Sequence, residues 1–213
     1  PTIAPYILPA LLTLLEEEYP ELQPRIVESQ TENLLQRLRD GHIDVAVLAT
    51  PTAASGVTDI PLYDEAFAVV TSPEHPLAGR GDLPLEALKD MDLLLLDDGH
   101  CLRDQIVELC KLAEVNRTPG AQSATRATSL TTVVQLVVAG LGSTLVPLSA
   151  VATECGRPGL AVSTFDASVD AKRTVGLAVR SSSRRHAEFE QLGQLITRAY
   201  REATESGRTL LPR

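Results

Sequence analysis

Short apolar runs of strand length alternate with longer stretches in which apolar residues recur at helical spacing, almost from end to end of the chain. No other feature constrains the fold as strongly. Strands separated by helices imply βαβ units, an α/β class and a mostly parallel sheet. Residues 6–19 read as a first helix, with Ile7, Leu8, Leu11, Leu14 and Leu15 on one side and Pro20 stopping it. Residues 22–27 alternate like a strand. Ser29 and Glu32 make a capping-box pattern for a second helix, closed by Gly41. Further strands are expected at 44–48, 59–62, 66–70, 92–96, 143–146 and 175–179. Further helices are expected at 84–90, 101–112, 128–139 and 187–203. Loops are expected at 51–58 and 116–123, and a polar, frayed tail from 205. Two such groups, roughly 1–64 and 65–163, followed by a return segment, suggest two α/β lobes. Ligands of such folds sit in the cleft beyond the strand C-termini, where helices begin.

Composition narrows the function. The 28 acidic residues outnumber the 19 basic ones, for a formal net charge of -9. That balance argues against the chain gripping nucleic-acid phosphates or an anionic membrane by itself. No apolar run approaches the ~18 residues of a membrane span. With no Trp, 4 Tyr and 3 Phe, a stacking platform for single strands is not expected. The chain opens on Pro1, its only methionine is Met91, and no signal-peptide pattern precedes it. It reads as a piece of a longer protein. Three cysteines, an odd and sparse number, do not resemble a secreted disulfide framework and fit a cytoplasmic protein.

Three predicted helix starts share one chemistry: Ser29-Gln30-Thr31, Gly99-His100-Cys101 and Thr128-Ser129. Free backbone N–H groups and the positive end of the helix dipole sit there. Together they would line a cleft for a small polar or anionic ligand, although ordinary N-capping accounts for each alone. Cys101 is the most specific residue. It follows His100 at a helix N-terminus and stands two residues before Arg103, neighbours that favour the reactive thiolate. An inert, buried thiol is the common alternative. Cys110 follows nine residues later. In one intact helix the two Cα atoms would lie ~13.5 Å apart along the axis. At ~100° per residue they would also face opposite sides. A disulfide needs Cα atoms within roughly 7 Å. A bond between them therefore exchanges helix for loop, which makes a switch; two unrelated buried thiols remain the other reading. Zinc held by His100, Cys101 and Cys110 has the wrong spacing and no fourth ligand. Cys155 falls in a loop-like stretch and reads as a bystander, and His42, His75 and His186 receive no role.

These residues carry a resemblance. The run Asp-Asp-Gly-His-Cys-Leu-Arg-Asp-Gln at 97–105, with Cys110 following, resembles the redox segment of the peroxide-sensing LysR-type transcriptional regulators. The openings Pro-Thr-Ile-Ala-Pro-Tyr at 1–6 and Gln30-Thr31 with Leu34-Leu35 agree. So do Arg-Ala-Thr-Ser-Leu at 126–130 and Arg-Thr-Val-Gly-Leu at 173–177. The resemblance implies a type 2 periplasmic-binding-protein-like fold, two α/β subdomains around a cleft. One would comprise 1–64 with 164–213, the other 65–163 with the redox segment 97–112. It implies hydrogen peroxide as the molecule sensed, Cys101 as the peroxidatic and Cys110 as the resolving cysteine. Thr2, Thr31, Gly99 and His100 would surround the peroxide, with Thr128, Ser129 and Arg173 beside them. It further implies a homo-oligomer, dimeric through this domain and tetrameric at full length. Promoter DNA would be bound by a domain N-terminal to this segment, and no cofactor, metal, membrane or enzymatic turnover is expected. Residues 150–158 match weakly, and Cys155 has no counterpart. The main alternative is a LysR-type effector domain that takes a small anion without redox chemistry. A thiol peroxidase would carry Thr where Asp98 stands, and a periplasmic solute-binding protein has no use for the cysteine pair.

Overall fold

The computed structural model describes residues 1–115 and 127–212. The loop expected at 116–123 and Arg126 lie outside the described residues. The chain runs through helix α1 (Ala4–Glu18), α2 (Thr31–Arg39), strand β1 (Val45–Thr50) and the long strand β2 (Val57–Thr71). A 3-10 turn (Leu85–Asp90), α3 (Cys101–Leu112), α4 (Leu130–Val138) and β3 (Thr144–Pro147) follow. Then come α5 (Leu148–Cys155), β4 (Ala161–Thr164), β5 (Lys172–Arg180) and α6 (His186–Gly207). The helical spacing of α1 buries Tyr6, Ile7, Leu11, Leu14 and Leu15, as its pattern requires.

Strands β1, β5 and β2 form one sheet, with β5 in the middle. The last third of β2 pairs with β3 and β4 in a second sheet. Among the described residues every pairing of these strands is antiparallel, against the mostly parallel sheet expected. The physical reason is the return segment. It inserts β5 between β1 and β2, so those two run parallel only across it. Parallel pairing survives as single bridges, Leu83 to Phe165, Leu93 to Ser143 and Leu96 to Ala127. The buried run 92–96 is therefore extended but carries only such bridges, with Leu93, Leu94, Leu95 and Leu96 all in the core.

Other expectations also shift. Residues 22–27 form no strand, and Leu22, Ile26 and Val27 are exposed. Alternation marks residues that could face a core, but no ladder satisfies this backbone. The strands expected at 59–62 and 66–70 are one continuous strand with a bulge between Pro61 and Tyr63. Helix α2 begins at Thr31, with Gln30 and not Ser29 at its N-cap. Helix α5 and strand β4 were not expected, and α6 runs into a further 3-10 turn (Arg208–Leu210) where a frayed tail was expected.

One cluster ties the two sheets together where β2 passes from one to the other. Glu65 and Arg173 are paired in the β2–β5 register and are 1% and 4% exposed. Arg173 Nε donates to Glu65 Oε2 at 2.8 Å, and Nη2 stands 2.7 Å from the same oxygen. Glu65 Oε1 accepts from the Ser149 backbone N–H at the start of α5, 3.1 Å away. The other side of the guanidinium holds the segment before α1: Nη1 donates to Thr2 Oγ1 at 2.9 Å and Nη2 to the Thr2 carbonyl at 2.8 Å. Removing one partner of such a pair strands a buried charge. Arg173→Met is expected to cost about 3–5 kcal/mol in urea unfolding. Combined with Glu65→Leu it should cost less than the two single losses added; strict additivity would show that the pair is not coupled.

Candidate functional site

The cysteine site is built where two helices begin. The Asp98–Gly99 turn leads into α3, and Gly99 takes a φ of +90°, a conformation only glycine adopts freely. His100 is the N-cap of α3, and Cys101 is its first residue. Thr31 is the first residue of α2, and its Oγ1 stands 2.6 Å from Cys101 Sγ. A hydroxyl there can accept from a thiol or donate to a thiolate. The sulfur is half-buried at the N-termini of both helices, where unsatisfied backbone N–H groups collect.

A cavity of about 130 Å³ opens on the far side of His100, and neither Thr31 nor Cys101 lines it. Thr2, His100, Thr128 and Ser129 line it together with Tyr6 and Glu154. Ser129 Oγ caps α4 by accepting from the Thr132 N–H at 3.2 Å, so α4 begins at Leu130 and not at Thr128. The structure thus brings Thr31 onto the sulfur, with Gly99 and His100 directly before it in the chain. Thr2, His100, Thr128 and Ser129 share the cavity wall. Arg173 stands one layer behind, bonded to Thr2 and to Glu65.

The charges near the sulfur differ from the sequence expectation. Arg103 is engaged by the turn: Nε pairs with Asp98 Oδ1 at 2.9 Å and Nη1 donates to the Leu96 carbonyl at 3.1 Å. It braces the turn. His100 is 7% exposed, and burial pushes its imidazole below the usual histidine range. It therefore stands as a neutral ring, not as a cation. Cys110 lies nine residues along the same unbroken helix, 2% exposed, with its thiol pushed up to about 11 by burial. All three thiols are free. Cys155 ends α5 inside the core, not in a loop, and burial followed by the Glu154 charge pushes it up to about 12.

Sequence reasoning missed four residues of this region. Glu65 is an acid directly before the apolar run 66–70, a position where burial calls for a cationic partner. Tyr6, Thr131 and Glu154 form a buried knot: the Tyr6 and Thr131 hydroxyls both donate to Glu154 Oε1, at 3.0 and 2.8 Å. Burial and that carboxylate together push the Tyr6 phenol up. Nothing in the sequence around Glu154 signals the knot, because its members are far apart in the chain.

Comparison with known proteins assigns the fold. The LysR substrate binding domain family model matches residues 1–201. A probable hydrogen peroxide-inducible genes activator of Mycobacterium leprae is 45% identical over 196 residues, 92% of this chain and 62% of that protein. The DNA-binding transcriptional dual regulator OxyR of Escherichia coli is 37% identical over 198 residues, 92% of this chain and 63% of that protein. The chain thus spans less than two thirds of these relatives. Among solved structures, a mutant of Corynebacterium glutamicum OxyR with hydrogen peroxide bound superposes with a TM-score of 0.95. It is 58% identical and matches 98% of this chain and 65% of that one. The reduced OxyR regulatory domain from Pseudomonas aeruginosa has a TM-score of 0.79 at 35% identity, over 93% of this chain and 91% of that one. With its periplasmic-binding-protein-like fold, this chain belongs to the LysR substrate binding domain family, in the group of the OxyR regulatory domains.

Proposed function

We propose that this chain is the peroxide-sensing switch of a longer, cytoplasmic transcriptional regulator that binds promoter DNA through a domain N-terminal to it. The observation that carries this reading is the Cys101 sulfur against the Thr31 hydroxyl at a helix start, with a second thiol, Cys110, nine residues on in the same helix. The thiolate of Cys101 attacks one oxygen of hydrogen peroxide, the O–O bond breaks, and the other oxygen leaves as water once protonated. Cys101 becomes a sulfenic acid. Thr31 and Thr2 hold the peroxide and hand on protons, with Gly99 and His100 closing the site and Thr128 and Ser129 on the adjoining wall. Arg173 acts one step back. By donating to Thr2 Oγ1 it leaves the hydroxyl hydrogen of Thr2 free to donate.

The Cys110 thiol then displaces the sulfenic hydroxyl as water and forms the disulfide. Because α3 cannot hold that bond intact, residues 102–109 refold, and the surface they present changes. We propose that this change is read out by copies of the same chain, paired as dimers and as tetramers at full length. It acts once per oxidation, as a switch and not as a turnover catalyst. We likewise propose the division 1–64 with 164–213 against 65–163, since β2 changes sheets close to Glu65. Binding of a small organic anion without redox chemistry fits less well, because Glu28 and Glu154 stand in the cavity wall.

Thiol mass spectrometry after one equivalent of peroxide should show loss of two hydrogens and a peptide linking Cys101 to Cys110. Cys110→Ser should stop at the sulfenic acid; an intramolecular disulfide still containing Cys101 would make Cys155 the partner and sink the scheme. Thr31→Val should slow oxidation of Cys101 on the order of 10²-fold in stopped-flow measurements. An unchanged rate constant removes Thr31 from the reaction.

His100 generates a pH prediction. Its folded value is lowered, so below the ordinary value near ~6.5 the unfolded chain binds a proton that the folded chain refuses. Its stabilising contribution is present above that value and is lost as pH falls. Thermal melts between pH 7 and pH 5 should show a steeper fall for the unmodified chain than for His100→Asn. Parallel curves would show that His100 is not held neutral by the fold.

A further inference from the structure

Gln30 lies beside the reacting sulfur, yet the chemistry above gives it no part. It holds the N-cap position of α2, with extended backbone (φ -67°, ψ 156°), but its side chain makes no capping hydrogen bond. Ser, Thr, Asp or Asn would serve the α2 backbone from that position. The amide of Gln30 instead crosses to the turn before α3, where Nε2 donates to the Asp98 carbonyl at 3.3 Å. It also packs against Gly99, where a β-carbon would stand 2.9 Å from Gln30 Oε1.

The turn at 98–99 is therefore gripped from two sides. Arg103 braces it from within α3, in the segment that itself refolds. Gln30 braces it from α2, which takes no part in the refolding. Two consecutive residues at one helix start thus hold the turn and the sulfur, Gln30 on Asp98 and Thr31 on Cys101. In the second oxidation step the Cys110 sulfur bonds to the Cys101 sulfur, and the sulfenic oxygen leaves with the Cys110 hydrogen as water. Cys101 must leave Thr31 and the start of α3 must open before that bond can form.

We propose that Gln30 is a positioning residue that latches the 98–99 turn to α2 and sets the rate of this opening, not the rate of the peroxide reaction. The inference rests on the peroxide-switch reading. A latched turn keeps the oxidised sulfur at Thr31 for longer and so delays commitment to the disulfide.

The test separates the two steps in the present chain after one equivalent of hydrogen peroxide. Peroxide consumption reports the first step. Acid quench, alkylation and mass spectrometry of the Cys101–Cys110 peptide report the second. In Gln30→Ala the second rate constant should rise roughly 2- to 10-fold, the worth of one neutral hydrogen bond, while the first stays as it is. Gln30→Glu, which keeps the shape but removes the donor, should do the same, and Gln30→Arg, which restores a donor, should bring the rate back down. A second step that is unchanged or slower in Gln30→Ala and Gln30→Glu overturns the latch. A first step slowed as in Thr31→Val overturns it as well, since Gln30 would then act by placing the sulfur. If the unmodified chain forms no Cys101–Cys110 disulfide, the peroxide-switch reading fails, and the latch falls with it.

Discussion

The buried pair of Glu65 and Arg173 is the interaction on which the rest of the arrangement depends. Two opposite charges withdrawn from water are tolerated only if every remaining donor and acceptor is occupied. Here the spare carboxylate oxygen takes the Ser149 N–H at the start of α5, and the spare guanidinium N–H groups take Thr2. The pair lies where β2 leaves one sheet for the other, so one ionic contact registers both sheets, the start of α5 and the segment before α1. A cavity wall formed by residues as distant as Thr2 and Thr128 requires such a fixed point.

From that fixed point the helix starts converge. Thr31 and Cys101 each open a helix, and helix N-termini offer backbone donors without spending side chains on them. The hydroxyl-lined space beyond His100 is small, about 130 Å³, which suits a molecule of a few atoms better than a large effector. Its neighbour Glu154 is held by Tyr6 and Thr131, so the same wall joins α1, α4 and α5. Burial pushes His100 below the usual histidine range, and Arg103 spends its charge on the turn. Among the described residues, the sulfur sits at helix ends and meets the Thr31 hydroxyl.

Much of this was legible in the sequence where the cause is local. Helix α3 spans the predicted residues because its apolar positions, its opening turn and Gly99 all act within a few residues of one another. That thiols nine apart in one helix cannot bond while it is intact followed from spacing; that Cys101 and Cys110 pair is what the family resemblance implies. What depends on distant partners was not legible. Arg173 and Glu65 lie 108 positions apart, and the sequence showed neither the pair nor its role in setting Thr2. Residues 22–27 have a strand's alternation but no edge to join. Helix α5 buries Ser149, Ala150, Val151, Glu154 and Cys155, a mixture of small, polar and apolar side chains that hides the helical period. The inserted β5 reversed the expected strand directions because sheet order, unlike strand existence, is a tertiary property.

The depth of Cys110 gives the protein an order of events. With its thiol pushed up to about 11, only ~10⁻⁴ of it is thiolate at neutral pH, and only 2% of it is exposed. Bulky thiol reagents in bulk solution are therefore hindered from reaching it while α3 is intact. Of the two thiols of α3, the half-buried one at position 101 is the more accessible, and in the proposed switch its own helix delivers the second. In the proposed switch, the second thiol is thereby held in reserve until its own helix opens.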